Sequence, residues 1–130
     1  MKDFSTYEVG RFGENECVKY LKKTKKYKIF GRNLTIGHLE ADVVAYDKES
    51  IIIVEVKTRR EDKSNSHRPG DAVDQAKRTN LIKFAYAFLK TLPSKLKEKT
   101  PRIDVCEIWV TAEKKLKVCD LNYIENAITK

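Results

Sequence analysis

The side chains with the most chemical content fall in one stretch, Glu40-Ala41-Asp42, followed after twelve residues by Glu55-Val56-Lys57. Both segments read as strands, 39–46 and 51–58, joined by the polar turn Asp47-Lys48-Glu49-Ser50. Side chains two apart share a strand face. Glu40, Asp42, Val44 and Tyr46 are therefore expected on one face of the first strand, and Ile51, Ile53, Glu55 and Lys57 on one face of the second. A turn over 47–50 sets Tyr46 against Ile51, Asp42 against Glu55 and Glu40 against Lys57. Two carboxylates directly opposite each other repel, and a divalent cation held by hard oxygen ligands is the chemical reason to place them there. Lys57 could pair with Glu40, orient a water, or stabilise charge on a phosphate. This is the constellation of a metal-dependent phosphodiesterase. The competing reading is a charged hairpin end that is simply solvated. Against it, the run Ile51-Ile52-Ile53-Val54 is apolar on both faces, which marks a central buried strand and puts Glu-x-Lys at the edge of burial.

The elements that must hold these residues can be followed along the chain. Ser5-Thr6-Tyr7-Glu8 has the form of a capping box, and Val9, Phe12, Cys17, Tyr20 and Leu21 continue at helical spacing, which predicts a helix over 6–23. Gly10 and Gly13 weaken that helix, so something should approach its backbone there. An extended piece, 27–34, broken by Gly31, precedes the hairpin. Residues 59–70 form a long polar loop ending in Pro69-Gly70. A helix follows over 71–92, with Asp71 as N-cap and Pro93 closing it, then strands over 103–110 and 116–119 and a last helix over 121–127. The order α-β-β-β-α-β-β-α predicts an α/β sandwich around a central mixed sheet. Phe84, Phe88 and Trp109 read as core, and Arg102 with Asp104 as a structural ion pair or cap.

Composition bounds the partners. The 130 residues carry 27 Lys+Arg against 19 Asp+Glu, a net charge of +8, and with 41% hydrophobic residues they are expected to form one packed domain spanning 1–130. Three cysteines, odd in number and without a CxxC pair, argue against a disulfide framework and a zinc site, and fit a reducing cytoplasm. No apolar run approaches the ~20 residues of a membrane span, and residues 1–8 are too polar for a secretory signal. The positive excess points to an anionic partner, nucleic acid ahead of a membrane surface. Arg59, Arg60, Lys63, His67 and Arg68 frame the long loop and could close over such a partner. Lys77 borders the apolar stripe of its helix, where it either reaches a phosphate or snorkels to solvent.

Asp42 and Glu55-Val56-Lys57 together resemble the D-x(n)-E-x-K core of the PD-(D/E)XK nucleases. The wider set is Gly10-x-x-Gly13-Glu14 with Tyr20-Leu21, Arg32-Asn33, Glu40-x-Asp42, Val54-Glu55-Val56-Lys57-Thr58-Arg59, Ala72-Val73 with Lys77, and Arg102-x-Asp104-Val105. In that order these resemble the YraN family, small bacterial proteins similar to archaeal Holliday-junction resolvases, over about residues 7–110. Here Leu39 and Ala41 stand where the family commonly carries Gly and the superfamily Pro, with both acids retained. The resemblance implies a restriction-endonuclease-like three-layer α/β/α sandwich and a metal-dependent endonuclease acting on DNA, at branched or single-stranded structures. The alternative is a nucleic-acid-binding module with little or no catalysis. It further implies that Asp42, Glu55 and the Val56 carbonyl ligate Mg²⁺ or Mn²⁺, that Lys57 positions or helps deprotonate the attacking water, and that Glu14 on the first helix joins the site. Glu40 would stand behind Lys57 as its partner. Resolvase-like relatives are often dimers, so a homodimer is among the expected assemblies.

Overall fold

The computed structural model describes residues 4–61 and 74–129. The capping box forms as expected: the Glu8 amide donates to Ser5 Oγ and the Ser5 amide to Glu8 Oε1, each at 3.0 Å, opening α1, Thr6–Lys23. Three strands follow, β1 (Lys28–Ile36), β2 (Leu39–Tyr46) and β3 (Ser50–Arg60). The β2–β3 hairpin has the expected register, Tyr46 opposite Ile51 through to Val43 opposite Val54. Asp47 fixes the turn by accepting from the amides of Glu49 and Ser50. Beyond residue 73 come α2 (Gln75–Thr91), the short α3 (Ser94–Lys97), β4 (Thr100–Ala112) and β5 (Leu116–Ile124).

The five strands lie in sequence order, antiparallel except for the central pair β3–β4. A parallel neighbour requires a crossover, and α2 lies on that crossover. Each face of the sheet is covered by one long helix. On one side Val9, Cys17 and Leu21 of α1 pack with Val43, Ala45, Ile52, Val54 and Ile108. On the other, Leu81, Phe84 and Phe88 of α2 pack with Val44, Ile51, Ile53 and Val105. The run 51–54 is thus buried on both faces, as its composition predicts, and the molecule is an α/β/α sandwich on a mixed sheet. Phe84 and Phe88 belong to the core, whereas Trp109 is half-buried.

Two expectations are corrected. Residues 121–127 do not form a helix: β5 runs on to Ile124, with Leu121 to Ile124 paired along β4 from Ile108 to Val105. The spacing of Leu121, Ile124 and Ala127 fits a helical face, but the open edge of β4 offers hydrogen bonds that only an extended chain can take. Tyr123 then donates its hydroxyl to the fully buried Asp104, which also accepts from Arg102 and the Asn126 amide, so the Arg102–Asp104 ion pair is structural. The N-cap of α2 is Asp74, accepting from the Lys77 amide at 2.8 Å; Asp71 lies outside the described residues.

Of the two helix glycines, Gly13 has a steric reason. A Cβ there would stand 1.8 Å from Thr58 Oγ1, so α1 rests on β3 at contact distance only because the side chain is absent.

Candidate active site

The site forms where β2 leaves β3. Leu39 and Ala41 pack toward α2, Val43 and Ala45 toward α1, and Val44 toward α2 again. Strict alternation would put residues 41 and 43 on one face, so the strand reverses its faces at Asp42, across from Asn33, itself at φ +50°. The β2–β3 ladder ends at Val43 and Val54. In place of the next main-chain acceptor, Asp42 Oδ2 accepts from the Val56 amide at 2.8 Å. The expected grouping of Glu40 with Asp42, Val44 and Tyr46 on one face is corrected by this reversal. Glu40 is exposed, and the cation assigned to it, Lys57, pairs with Glu55 instead.

Glu55 is 2% exposed. Its Oε2 lies 3.5 Å from Lys57 Nζ and 3.6 Å from Lys77 Nζ, while Oε1 is buried without a hydrogen-bond partner. Burial, and next the neighbouring Asp42 charge, push its carboxyl up to about 7, with the two lysines pulling the other way. Asp42 is also raised, by burial first, the Val56 amide holding it back. The pair is a site where one proton is easily shared between two carboxyls. Their oxygens match a hard divalent cation, and the unpartnered Glu55 Oε1 is the atom such an ion would satisfy. Among the described residues there is no cluster of three or more His, Cys, Asp and Glu side chains set to hold a metal. Two carboxylates are nonetheless what Mg²⁺, which keeps several waters, commonly takes from a protein.

Glu14 shares a cavity of about 630 Å³ with Asp42, Val56, Lys57 and Arg60, between α1 and the ends of β2 and β3. Its Oε1 accepts from Arg32 Nε and Nη2 at 2.9 and 2.8 Å and from Asn33 Nδ2 at 3.0 Å. Lys77, in the first turn of α2, is turned toward Glu55, a placement that the pattern of its helix left open. Arg60 is on the cavity wall, whereas Arg59 is half-buried with its Nε unpartnered, off that wall. Lys63, His67 and Arg68 lie outside the described residues.

The roles of several residues around the site escape a reading of the sequence. Arg32 and Asn33, part of the resemblance but given no role there, anchor Glu14 from another element, and Tyr7, Gly10 and Arg11 line the cavity one to two turns before it. Glu107 is buried in β4 at the level of Lys57; the signal for it is a charge inside the apolar run 103–110. No helix of the described residues is long and apolar enough to cross a membrane, and the three cysteines are free.

Comparison with known proteins gives one consistent answer. The model of a family described as "Uncharacterised protein family UPF0102" matches residues 13–108, a span that includes Glu14, Asp42, Glu55, Val56, Lys57 and Lys77. A UPF0102 protein of Caldanaerobacter subterraneus is 36% identical over 98% of this chain and 99% of its own. Those of Caldicellulosiruptor saccharolyticus and Syntrophomonas wolfei are 36% and 38% identical, each over 92% of this chain and 96% of theirs.

Proposed function

Since the chain belongs to the UPF0102 (YraN) family, whose name assigns no chemistry, we propose from its site that it is a metal-dependent endonuclease hydrolysing DNA phosphodiester bonds. One observation carries the reading: a carboxylate, Glu55, buried with one oxygen unpartnered beside a second carboxylate and two lysines. Burial at that depth without a partner is costly, and a cation would remove the cost.

Asp42 and Glu55, with the Val56 carbonyl, would hold Mg²⁺ or Mn²⁺. Such an ion supplies Lewis-acid polarisation of a phosphate and makes water acidic enough to attack near neutral pH. The chain's own residues do the rest. Val56 fixes Asp42 through its amide, so one ligand is oriented before any ion arrives. Lys57 and Lys77 place two positive charges beside Glu55, where they favour its ionised form and attract a phosphate. Lys57, which also lines the cavity, is the group placed to orient or deprotonate the attacking water. Arg60 on the same wall and the net charge of +8 favour a polyanion over other substrates. A second reading, a nucleic-acid-binding module with little catalysis, draws support from Glu14, whose Oε1 is committed to Arg32 and Asn33.

Titration with Mg²⁺ and Mn²⁺ over plasmid, single-stranded and four-way-junction DNA separates the two. The wild type should cut only with metal. Asp42→Ala and Glu55→Ala should lose more than the roughly 10–100-fold that removal of an outer-shell partner costs. Metal-independent binding without cleavage by the wild type would establish the second reading, and equal cleavage by the variants would remove the site.

A further inference from the structure

Gly10 has no role within the described protein. It is exposed in the second turn of α1, its φ is not positive, and a Cβ built on it would meet nothing within 4 Å. Glycine at such a position weakens a helix relative to almost any other residue, and neither backbone conformation nor packing requires it, in contrast to Gly13. What it does is leave bare backbone on the wall of the 630 Å³ cavity.

The same helix face presents Tyr7, Gly10, Arg11 and Glu14, the i, i+3, i+4, i+7 spacing of one side. Tyr7 is 71% exposed, and Arg11 Nη1 donates to its hydroxyl at 3.4 Å. An exposed aromatic ring flanked by arginine, next to a phosphate-attracting site, is a stacking platform for a base. A base inside a duplex has both faces covered by its neighbours, so the occupant must be unstacked. The cavity is within the ~300–1,000 Å³ range of small-ligand sites, which suits a nucleotide. Charge agrees: Arg11, Arg60 and Lys57 line it, and of its two acids Glu14 is already neutralised by Arg32.

We propose that this groove receives one unpaired nucleotide adjoining the scissile phosphate, its base against the Tyr7 ring and the bare helix at Gly10, its phosphate toward Arg11 and Arg60. The position of the scissile phosphate rests on the nuclease reading; the groove's preference for an unpaired strand does not. The enzyme would then require single-stranded character at the point of cleavage.

The test is fluorescence anisotropy with a labelled oligothymidylate and a blunt duplex of equal length, in Ca²⁺, on the full chain. Gly10→Leu fills the groove with a good helix former, so its melting temperature should rise by roughly 2–5 °C while single-strand affinity falls at least fivefold. Tyr7→Ala should weaken the single strand by roughly 5–100-fold, the range of one lost base stack, and Tyr7→Phe should restore most of it. Duplex affinity should stay within twofold for all three. Single-strand binding equal to wild type in Gly10→Leu and Tyr7→Ala overturns the groove and leaves the nuclease reading standing. Equal losses on single strand and duplex overturn the preference for an unpaired nucleotide. A wild type that binds neither DNA overturns this inference and the nuclease reading together. Gly10→Ala, with a smaller side chain, should move melting and affinity in the same opposed directions.

Discussion

Replacing Glu55 by glutamine should make the metal-free protein more stable, and only at high pH. In the fold this carboxyl is pushed from its ordinary 4.5 to about 7, chiefly by burial and by Asp42. At about 1.4 kcal/mol for each tenfold change in proton affinity, keeping it ionised in the folded state costs up to roughly 3 kcal/mol. The sign follows from proton counting. Between 4.5 and about 7 the folded chain holds a proton that the unfolded chain has released, so wild-type stability falls as pH rises through that window and levels off above it. The Glu55→Gln variant would lack this contribution to the slope, and its amide can donate to Asp42. Lys57 and Lys77, with side chains 33% and 30% exposed, regain water when the charge opposite them is removed and lose little. The assay is urea unfolding in EDTA at pH 5 to 8, followed by the single Trp109. Glu55→Gln should exceed the wild type by up to about 3 kcal/mol at pH 8 and by less than about 1 kcal/mol at pH 5. Mn²⁺ at a thousand times its dissociation constant should reverse the order at pH 8, since it then stabilises the wild type by about 4.1 kcal/mol. Its affinity should drop about tenfold per pH step below 7 as protons compete. A variant less stable than wild type at pH 8 without metal, or a gap undiminished at pH 5, would refute the account of Glu55 as a buried carboxylate whose ionisation costs the fold stability.

Two further substitutions probe the frame around the site. Gly13→Ala forces a Cβ to within 1.8 Å of Thr58 Oγ1, so α1 must lift from β3; a loss of about 1–3 kcal/mol is expected in urea unfolding, and unchanged stability would mean the two elements do not touch there. Arg102→Ala strands the fully buried Asp104 without its cation, which should cost about 3–5 kcal/mol. Adding Asp104→Asn should recover part of that loss, and a double variant no better than the single would show that the charge is not the cause.

Features governed by neighbours in the chain were legible in the sequence. Ser5 and Glu8 are three residues apart, so their reciprocal cap forms from local geometry alone. Asp47 sets the turn two and three residues away, and the turn then dictates the hairpin register up to Val43 and Val54. Past that point strand periodicity stops being a guide, because the face reversal at Asp42 moves Glu40 out of the group it was expected to join. The segment 121–127 failed for the related reason that an available strand edge outweighs a weak helical pattern.

The sequence by itself supplied the acids and lysine of the candidate site, the apolar strand that carries them, the order of the helices and strands apart from α3 and the last segment, and the charge that favours a polyanion. These are matters of residue type and short-range spacing. Only the tertiary structure decided which groups meet: Lys77 arrives on α2, twenty-two residues after Glu55, Arg32 claims Glu14 from β1, and α1 leaves a cavity at Gly10. It also decided the chemistry of Glu55. A carboxylate gains its raised proton affinity from being sealed between strands and helices beside a second one, and burial is a property of the assembled core rather than of any stretch of chain.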